Sequence, residues 1–259
     1  MRLHWVGLCV AVINLCCIGC GKNDAGLRLG DAGTDAADVF GHDAAEEDCS
    51  TTLAVTFRDF NDTHPDFENW DLVIDPAAAQ PGVVEDELGD DGNPVRADDG
   101  PAVTTGAAEF AQWYETVEGV NMAFESTLAL VEEPSGAYAY DSAAFFPLDD
   151  QGFGNDERAH NYHFTTEVHA SFFYHGNEVF TFRGDDDLWV FVNKKLALDL
   201  GGVHVSVQGT IDFKEMEVAL GLTPGNSYSI DVFHAERHTT DSHFRIETSI
   251  RCFGAPFVF

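Results

Sequence analysis

The run Gly184-Asp185-Asp186-Asp187 constrains this chain more than any other stretch. Three adjacent carboxylates repel one another and lose hydration when buried, so a folded chain keeps them at a solvated loop or around a cation. They lead without a break into Leu188 to Val192, apolar at every position, which predicts a strand covered on both faces. The acidic loop is therefore anchored to the core. After the Asn193-Lys194 turn, Leu196, Leu198 and Leu200 alternate with Lys195, Ala197 and Asp199, the pattern of a returning hairpin strand with one buried face. Gly201-Gly202 ends it.

With 259 residues, 44% of them hydrophobic, the chain can bury one substantial core of sandwich or barrel type. Its 13 Lys and Arg against 45 Asp and Glu leave a net charge of -32. That balance argues against nucleic acid and anionic lipid surfaces as partners and leaves divalent cations and neutral ligands. By itself it accounts for solubility.

Residues 1–20 read as an export signal: Arg2 precedes an apolar run from Leu3 to Ile18, too short for a membrane span. The run ends in Cys17-Ile18-Gly19-Cys20, similar to a bacterial lipobox with Cys20 as the lipid acceptor, although such boxes prefer Leu where this chain has Cys17. Cys9, Cys16 and Cys17 would leave with the signal, so Cys49 and Cys252 remain. They bracket the foldable part and are expected to form a disulfide in an oxidising compartment, the alternative being two free thiols. Residues 21–48, rich in Ala, Asp and Gly, are expected to be a flexible tether with a reach of about 30 Å.

From Thr51 onward the pattern is mostly that of strands. Leu53, Val55 and Phe57 suggest a first strand near the amino-terminal edge, and residues 59–103 are rich in turn residues. Residues 104–117 predict the one helix, with Phe110, Trp113, Tyr114 and Val117 as its packing stripe after a Thr cap. A hairpin is predicted around Glu133-Pro134-Ser135. Tyr162 to Phe172 alternates as a strand with one buried face, with His163 and His169 on its polar, solvated side. Further strands are predicted over 178–183, 205–213, 228–233 and 244–252. Many short strands with one helix argue for an all-β sandwich.

Two clusters could carry chemistry. Asp185, Asp186 and Asp187 supply hard oxygen ligands suited to Ca²⁺, with a solvated turn as the alternative. On a strand, His234, Glu236 and His238 would share one face, as a two-His-one-carboxylate metal site would need; a hydrogen-bonded polar corner is the alternative. Carboxylate pairs suited to glycoside hydrolysis occur by chance among so many acids, and Gly-x-Ser-x-Gly, phosphate-loop and dinucleotide motifs are absent. An enzyme is not expected.

The stretches 184–193 and 199–204, with Phe233-His234-Ala235-Glu236-Arg237-His238-Thr239-Thr240-Asp241-Ser242-His243-Phe244, resemble the fibro-slime domain. Thr56-Phe57-Arg58-Asp59-Phe60, His64-Pro65-Asp66-Phe67 and Phe145-Phe146-Pro147-Leu148-Asp149 extend the likeness over about residues 51–252. The resemblance implies an all-β dominated, PA14-like β-sandwich with one short helix and long loops, spanning residues 49–254. It also implies a Ca²⁺ held by the pair Asp185-Asp186, in the manner of the group's sugar-binding adhesins. Asp199 and His204 from one motif, and Glu236, Arg237 and Asp241 from the other, are the expected ligand contacts. Where the family turn reads Asn-Gly, this chain has Asn193-Lys194, which forces a positive φ on Lys194. The expected protein is a non-catalytic, exported surface lipoprotein or secreted module. It would recognise extracellular polysaccharide or a matrix glycoprotein; a structural matrix role and, third, a glycan-active enzyme are the alternatives.

Overall fold

The computed structural model describes residues 49–257. The expected export signal, lipid-acceptor Cys20 and tether lie outside these residues. Twelve strands are described: β1 (Thr52–Phe60), β2 (Asn121–Ala129), β3 (Val131–Glu132), β4 (Tyr138–Ser142), β5 (Phe164–Tyr174), β6 (Val179–Gly184), β7 (Asp187–Val192), β8 (Lys195–Leu200), β9 (Val207–Asp212), β10 (Asn226–Glu236), β11 (Phe244–Thr248) and β12 (Phe253–Gly254). Two short helices, α1 (Ala107–Ala111) and α2 (Glu217–Leu220), complete the regular structure with a 3-10 turn at Trp70–Leu72. No helix among the described residues is long and apolar enough to cross a membrane.

The strands form two antiparallel sheets, one in the order β2-β1-β5-β10-β7-β8 with β12 also on β5, the other β3-β4-β11-β6-β9. Leu53, Val55, Phe57, Val168, Phe172, Leu188, Val190 and Val232 of the first meet Phe180, Phe182, Ile211, Phe244 and Ile246 of the second in one apolar core. Period-two alternation along each strand is what delivers these residues to a common face. The expected all-β sandwich is the fold found.

The outer face of the larger sheet is also covered. Trp189, Phe191, Phe233 and Ala235 pack under a layer, mostly of loops, that includes Phe60 at the end of β1, Phe67, Val83, Val103, Phe110 of α1, Trp113 and Tyr114. That second core explains why β7 is apolar at every position from Leu188 to Val192. It also corrects two sequence expectations. His163 is buried under this layer, with Nδ1 2.8 Å from an Asp156 carboxylate oxygen, and His169 is clamped between Glu167 and Asp231. The strand from 162 has two covered faces over its first half because the long loops fold back onto it.

The aromatic stripe at 110–114 is buried as expected, but the helix predicted over 104–117 shrinks to α1, five residues whose N-cap is Gly106 without a side-chain cap. Trp113 then leaves the helical path and donates its Nε1–H to Asp66 at 3.1 Å. β1 lies inside its sheet between β2 and β5, and β2 is the edge. The Glu133-Pro134-Ser135 turn joins β3 and β4 as expected, while the chain before Leu130 belongs to the other sheet.

Asn193 and Lys194 both take positive φ, 52° and 66°, as the two-residue hairpin requires. The returning strand does not keep one face. A bulge sets Leu198 opposite Val190 but Leu196 opposite Phe191, so Ala197 is extra. Leu196 then packs into the outer core and Leu198 and Leu200 into the inner one. Cys49 and Cys252 are bonded, joining the entry of β1 to the chain before β12.

Candidate functional site

β6 ends at Gly184 in the smaller sheet and β7 begins at Asp187 in the larger one, so Asp185 and Asp186 are the whole crossover between sheets. Such an abrupt passage leaves backbone N–H groups at the surrounding strand ends without ladder partners, and the carboxylates accept them. Asp185 accepts from the His243 N–H that opens β11. Asp186 Oδ1 accepts from His204 N–H at 3.1 Å, and its Oδ2 from the N–H groups of Arg237 and His238, each at 3.1 Å, just beyond β10. Asp187 accepts from Gly202 N–H and from Arg237 Nε at 2.6 Å.

The solvated turn weighed as the alternative for these three residues is not what forms: all are buried, Asp187 completely. Each negative charge is offset by N–H donors, which makes the burial tolerable. Burial pushes the Asp186 carboxyl up to about 7, with Arg237 pulling the other way and Asp187 and Asp185 adding to the rise. Arg237 is itself buried beside Trp113, its guanidinium 4.9 Å from the ring, and it also donates to the carbonyls of Asp66 and Val103. It closes the outer core over the crossover.

Beside the crossover lies a cleft of about 420 Å³ lined by Trp70, Pro76, Val203, Val205 and Ser206, with Asp185, Asp186, His204, His238, Asp241 and His243 among its polar groups. Of the residues expected at the site, it brings together Asp185, Asp186, His204 and Asp241. It leaves out Asp187, whose oxygens face Arg237 and Gly202, and Asp199, which accepts from Trp189 Nε1, Gly201 N–H and Gly82 N–H. Glu236 and Arg237 are fully buried behind it and do not line it. Burial first, then the charge of Asp186, pushes the Glu236 carboxyl well above its ordinary value.

The two-His-one-carboxylate face does not form. β10 ends at Glu236, His234 turns inward with Nδ1 on Thr166 and Nε2 2.9 Å from the Asp185 carbonyl, and burial lowers its pKa to about 4. No group of three or more His, Cys, Asp or Glu among the described residues is disposed to hold a metal. What remains at the cleft is a pair of hard carboxylates with lone pairs to spare. Such a pair suits a Ca²⁺ that completes its six to eight oxygens from backbone carbonyls, water and ligand hydroxyls, and does not suit a closed protein cage.

Trp70 and His243 were not among the expected site residues, and His238, expected as a ligand beside His234 and Glu236, lines the cleft without them. Trp70 reaches the cleft from the loop layer, and nothing in the pattern of residues 59–103 distinguishes it from a core tryptophan. A second cleft of about 420 Å³, at Phe173, His175, Glu178 and Arg251, offers no comparable pair: Glu178 is already occupied by the N–H groups of His175, Gly176 and Asn177.

Residues 128–252 match the family model described as PA14 domain. The PA14 segment takes in β3 to β11, the acidic crossover and the cleft residues from Asp185 to His243, and it leaves the loop layer outside. Protein psiQ of Dictyostelium discoideum is 38% identical over 204 residues, covering 73% of this chain and 20% of psiQ. Protein psiD of the same organism is 39% identical over 184 residues, covering 65% of this chain and 36% of psiD. The chain thus spans about a fifth to a third of the length of these relatives. Among solved structures, a PA14 sugar-binding domain from an RTX adhesin aligns at 15% identity over 47% of this chain and 79% of its own, with a TM-score of 0.32. The PA14 domain of the MpAFP antifreeze protein aligns at 7% identity over 86% of this chain and 88% of its own, with a TM-score of 0.35.

Proposed function

We propose that this chain is a non-catalytic recognition module of the fibro-slime type, acting outside the cell on polysaccharide or a matrix glycan, with Ca²⁺ bridging Asp185 and Asp186 to ligand hydroxyls. The observation that carries the reading is the convergence of these two buried carboxylates, with the exposed Asp241 beside them, on a cleft otherwise walled by neutral side chains and imidazoles. Their rigid hold by the backbone N–H groups of His204, Arg237, His238 and His243 supports it, because preorganised oxygens lose little entropy on taking up an ion. His204, Asp241 and His243 are placed to orient the ligand. Calcium supplies charge for hydroxyl coordination, and Asp187, Glu236 and Arg237 support the crossover from behind. Export and anchoring through Cys20 are part of the same proposal and rest on residues 1–20 alone.

A structural matrix role, with no glycan bound, is favoured by one observation: the acidic crossover ties the ends of β7, β10 and β11 together through its own hydrogen bonds. A glycan-array screen with and without calcium separates the two. Calcium-dependent binding that Asp186→Asn weakens about tenfold or more is the expected result. Robust folding with no glycan bound in either condition would leave the structural role standing and remove the recognition reading.

A further inference from the structure

Trp70 is 62% exposed, whereas Trp113 and Trp189 are fully buried. An exposed indole on a mobile loop would mean little, but this one is held in place. It opens the 3-10 turn Trp70–Leu72, capped by the Asn69 side chain, which accepts from Asp71 N–H at 3.2 Å and donates to the Pro65 carbonyl at 2.8 Å. Leu72, two residues on, is buried. On the other side of Trp70, Glu68 donates its N–H to the Arg237 carbonyl and accepts from Thr239 N–H, both at 2.9 Å, so the turn is tied to the chain that follows β10. The indole meets the buried His238 ring edge-on, centroids 4.5 Å apart, and both line the cleft of the acidic crossover. Val205, 61% exposed, lines it too.

The cleft thus combines a fixed apolar platform with the carboxylates of Asp185, Asp186 and Asp241. A flat apolar ligand would make no use of the oxygen lone pairs left on the carboxylates, and a purely polar ligand would leave the indole in water. A pyranose satisfies both, since one ring face presents C–H groups and the rim presents hydroxyls. The weakly positive C–H hydrogens meet the negative face of the indole. We propose that Trp70 is the stacking platform of this cleft and selects neutral hexopyranose units with a continuous C–H face. The inference rests on the recognition reading above and adds the sugar class to it. Uronic acid and sulfated sugars are rejected by the chain's net charge of -32, which one Ca²⁺ at Asp185 and Asp186 offsets by only two. Trp70 lies outside residues 128–252, so this selectivity comes from the loop layer and not from the PA14 segment.

The test uses the full chain with calcium and a panel of neutral hexose oligosaccharides beside uronic acid and sulfated polymers. Wild type is expected to bind neutral glycans only, and the bound glycan is expected to shield its fluorescence from acrylamide. Trp70→Ala is expected to lose about tenfold or more in affinity, and Trp70→Phe to keep most of it while losing the shielding signal. Because the side chain is mostly exposed, both variants are expected to match wild type in thermal unfolding, which separates a lost platform from a lost fold. Neutral-glycan affinity unchanged in Trp70→Ala but lost in Asp186→Asn would overturn the platform and spare the recognition reading. Wild-type binding confined to acidic polymers would overturn the sugar class. No glycan bound by any form would overturn both.

Discussion

Asp187 and Arg237 face each other in a space neither shares with water, 2.6 Å apart and both fully buried. Removing one member of such a pair leaves a desolvated charge behind, which costs more than the pair's own attraction is worth. Arg237→Met is therefore expected to destabilise the domain by about 3–5 kcal/mol. Asp187→Asn combined with Arg237→Met is expected to recover part of that loss, because no lone charge remains. Urea unfolding of the two variants checks this; a loss below about 1 kcal/mol in Arg237→Met would show that water reaches Asp187. By residue type the three aspartates are alike, and the family resemblance singles out the pair Asp185-Asp186. The direction of each side chain gives the physical difference: Asp187 faces Arg237 and Gly202, while Asp185 and Asp186 line the cleft.

At the scale of elements, β5 and β10 pair along their full length, and His169 opposite Asp231 sits where their outer face escapes the loop layer. Burial alone would depress this imidazole. Hydrogen bonds to Asp231 at 2.7 Å and Glu167 at 2.6 Å, with the charges of both, outweigh it and lift the pKa to about 9. Arg58 of β1 also pairs with Glu167, and the Phe233 ring packs against the imidazole. A raised folded pKa contributes stability that is complete below the unfolded value of about 6.5 and is lost as pH rises through about 9. Wild type is accordingly expected to lose stability relative to His169→Gln between pH 6.5 and 9.5, read from urea midpoints of both proteins at each pH. A constant difference across that window would mean that His169 titrates normally. The alternation of β5 showed a strand with histidines on its second face. It could not show that a layer from about 50 to 100 residues upstream would cover His163, because that layer is held by non-local packing.

For the molecule as a whole, the Cys49–Cys252 bond closes a span of 203 residues and pins the first strand to the chain that follows the last core strand. The chain-entropy estimate for so long a loop is about 5 kcal/mol, and residual structure in the unfolded chain lowers the measured value below that ceiling. Cys49→Ser with Cys252→Ser is expected to lower the denaturation midpoint by an amount that fits a loss of roughly 2–5 kcal/mol, while the spectrum of the native β-sheet is retained. An unchanged midpoint under otherwise equal conditions would mean that the ends are already held by β12 on β5 and by the Ser50–Phe253 pairing.

What the sequence determined is what local chemistry can encode. The two-faced apolar run of β7, the alternation of β1 and β11, the Asn193-Lys194 turn with its positive φ and the bracketing cysteines each speak through period, propensity or spacing within a few residues. The sandwich class follows from them. The tertiary structure alone decided which face of β8 turns at the Ala197 bulge, why the helix stops at five residues once Trp113 finds Asp66, and which members of the acidic run reach the cleft. It also decided that Trp70 would be displayed and not buried. These outcomes depend on partners distant in the chain: Asp185 and Asp186 collect N–H groups from residues 18 to 58 positions away, and no pattern read along the chain contains that closure.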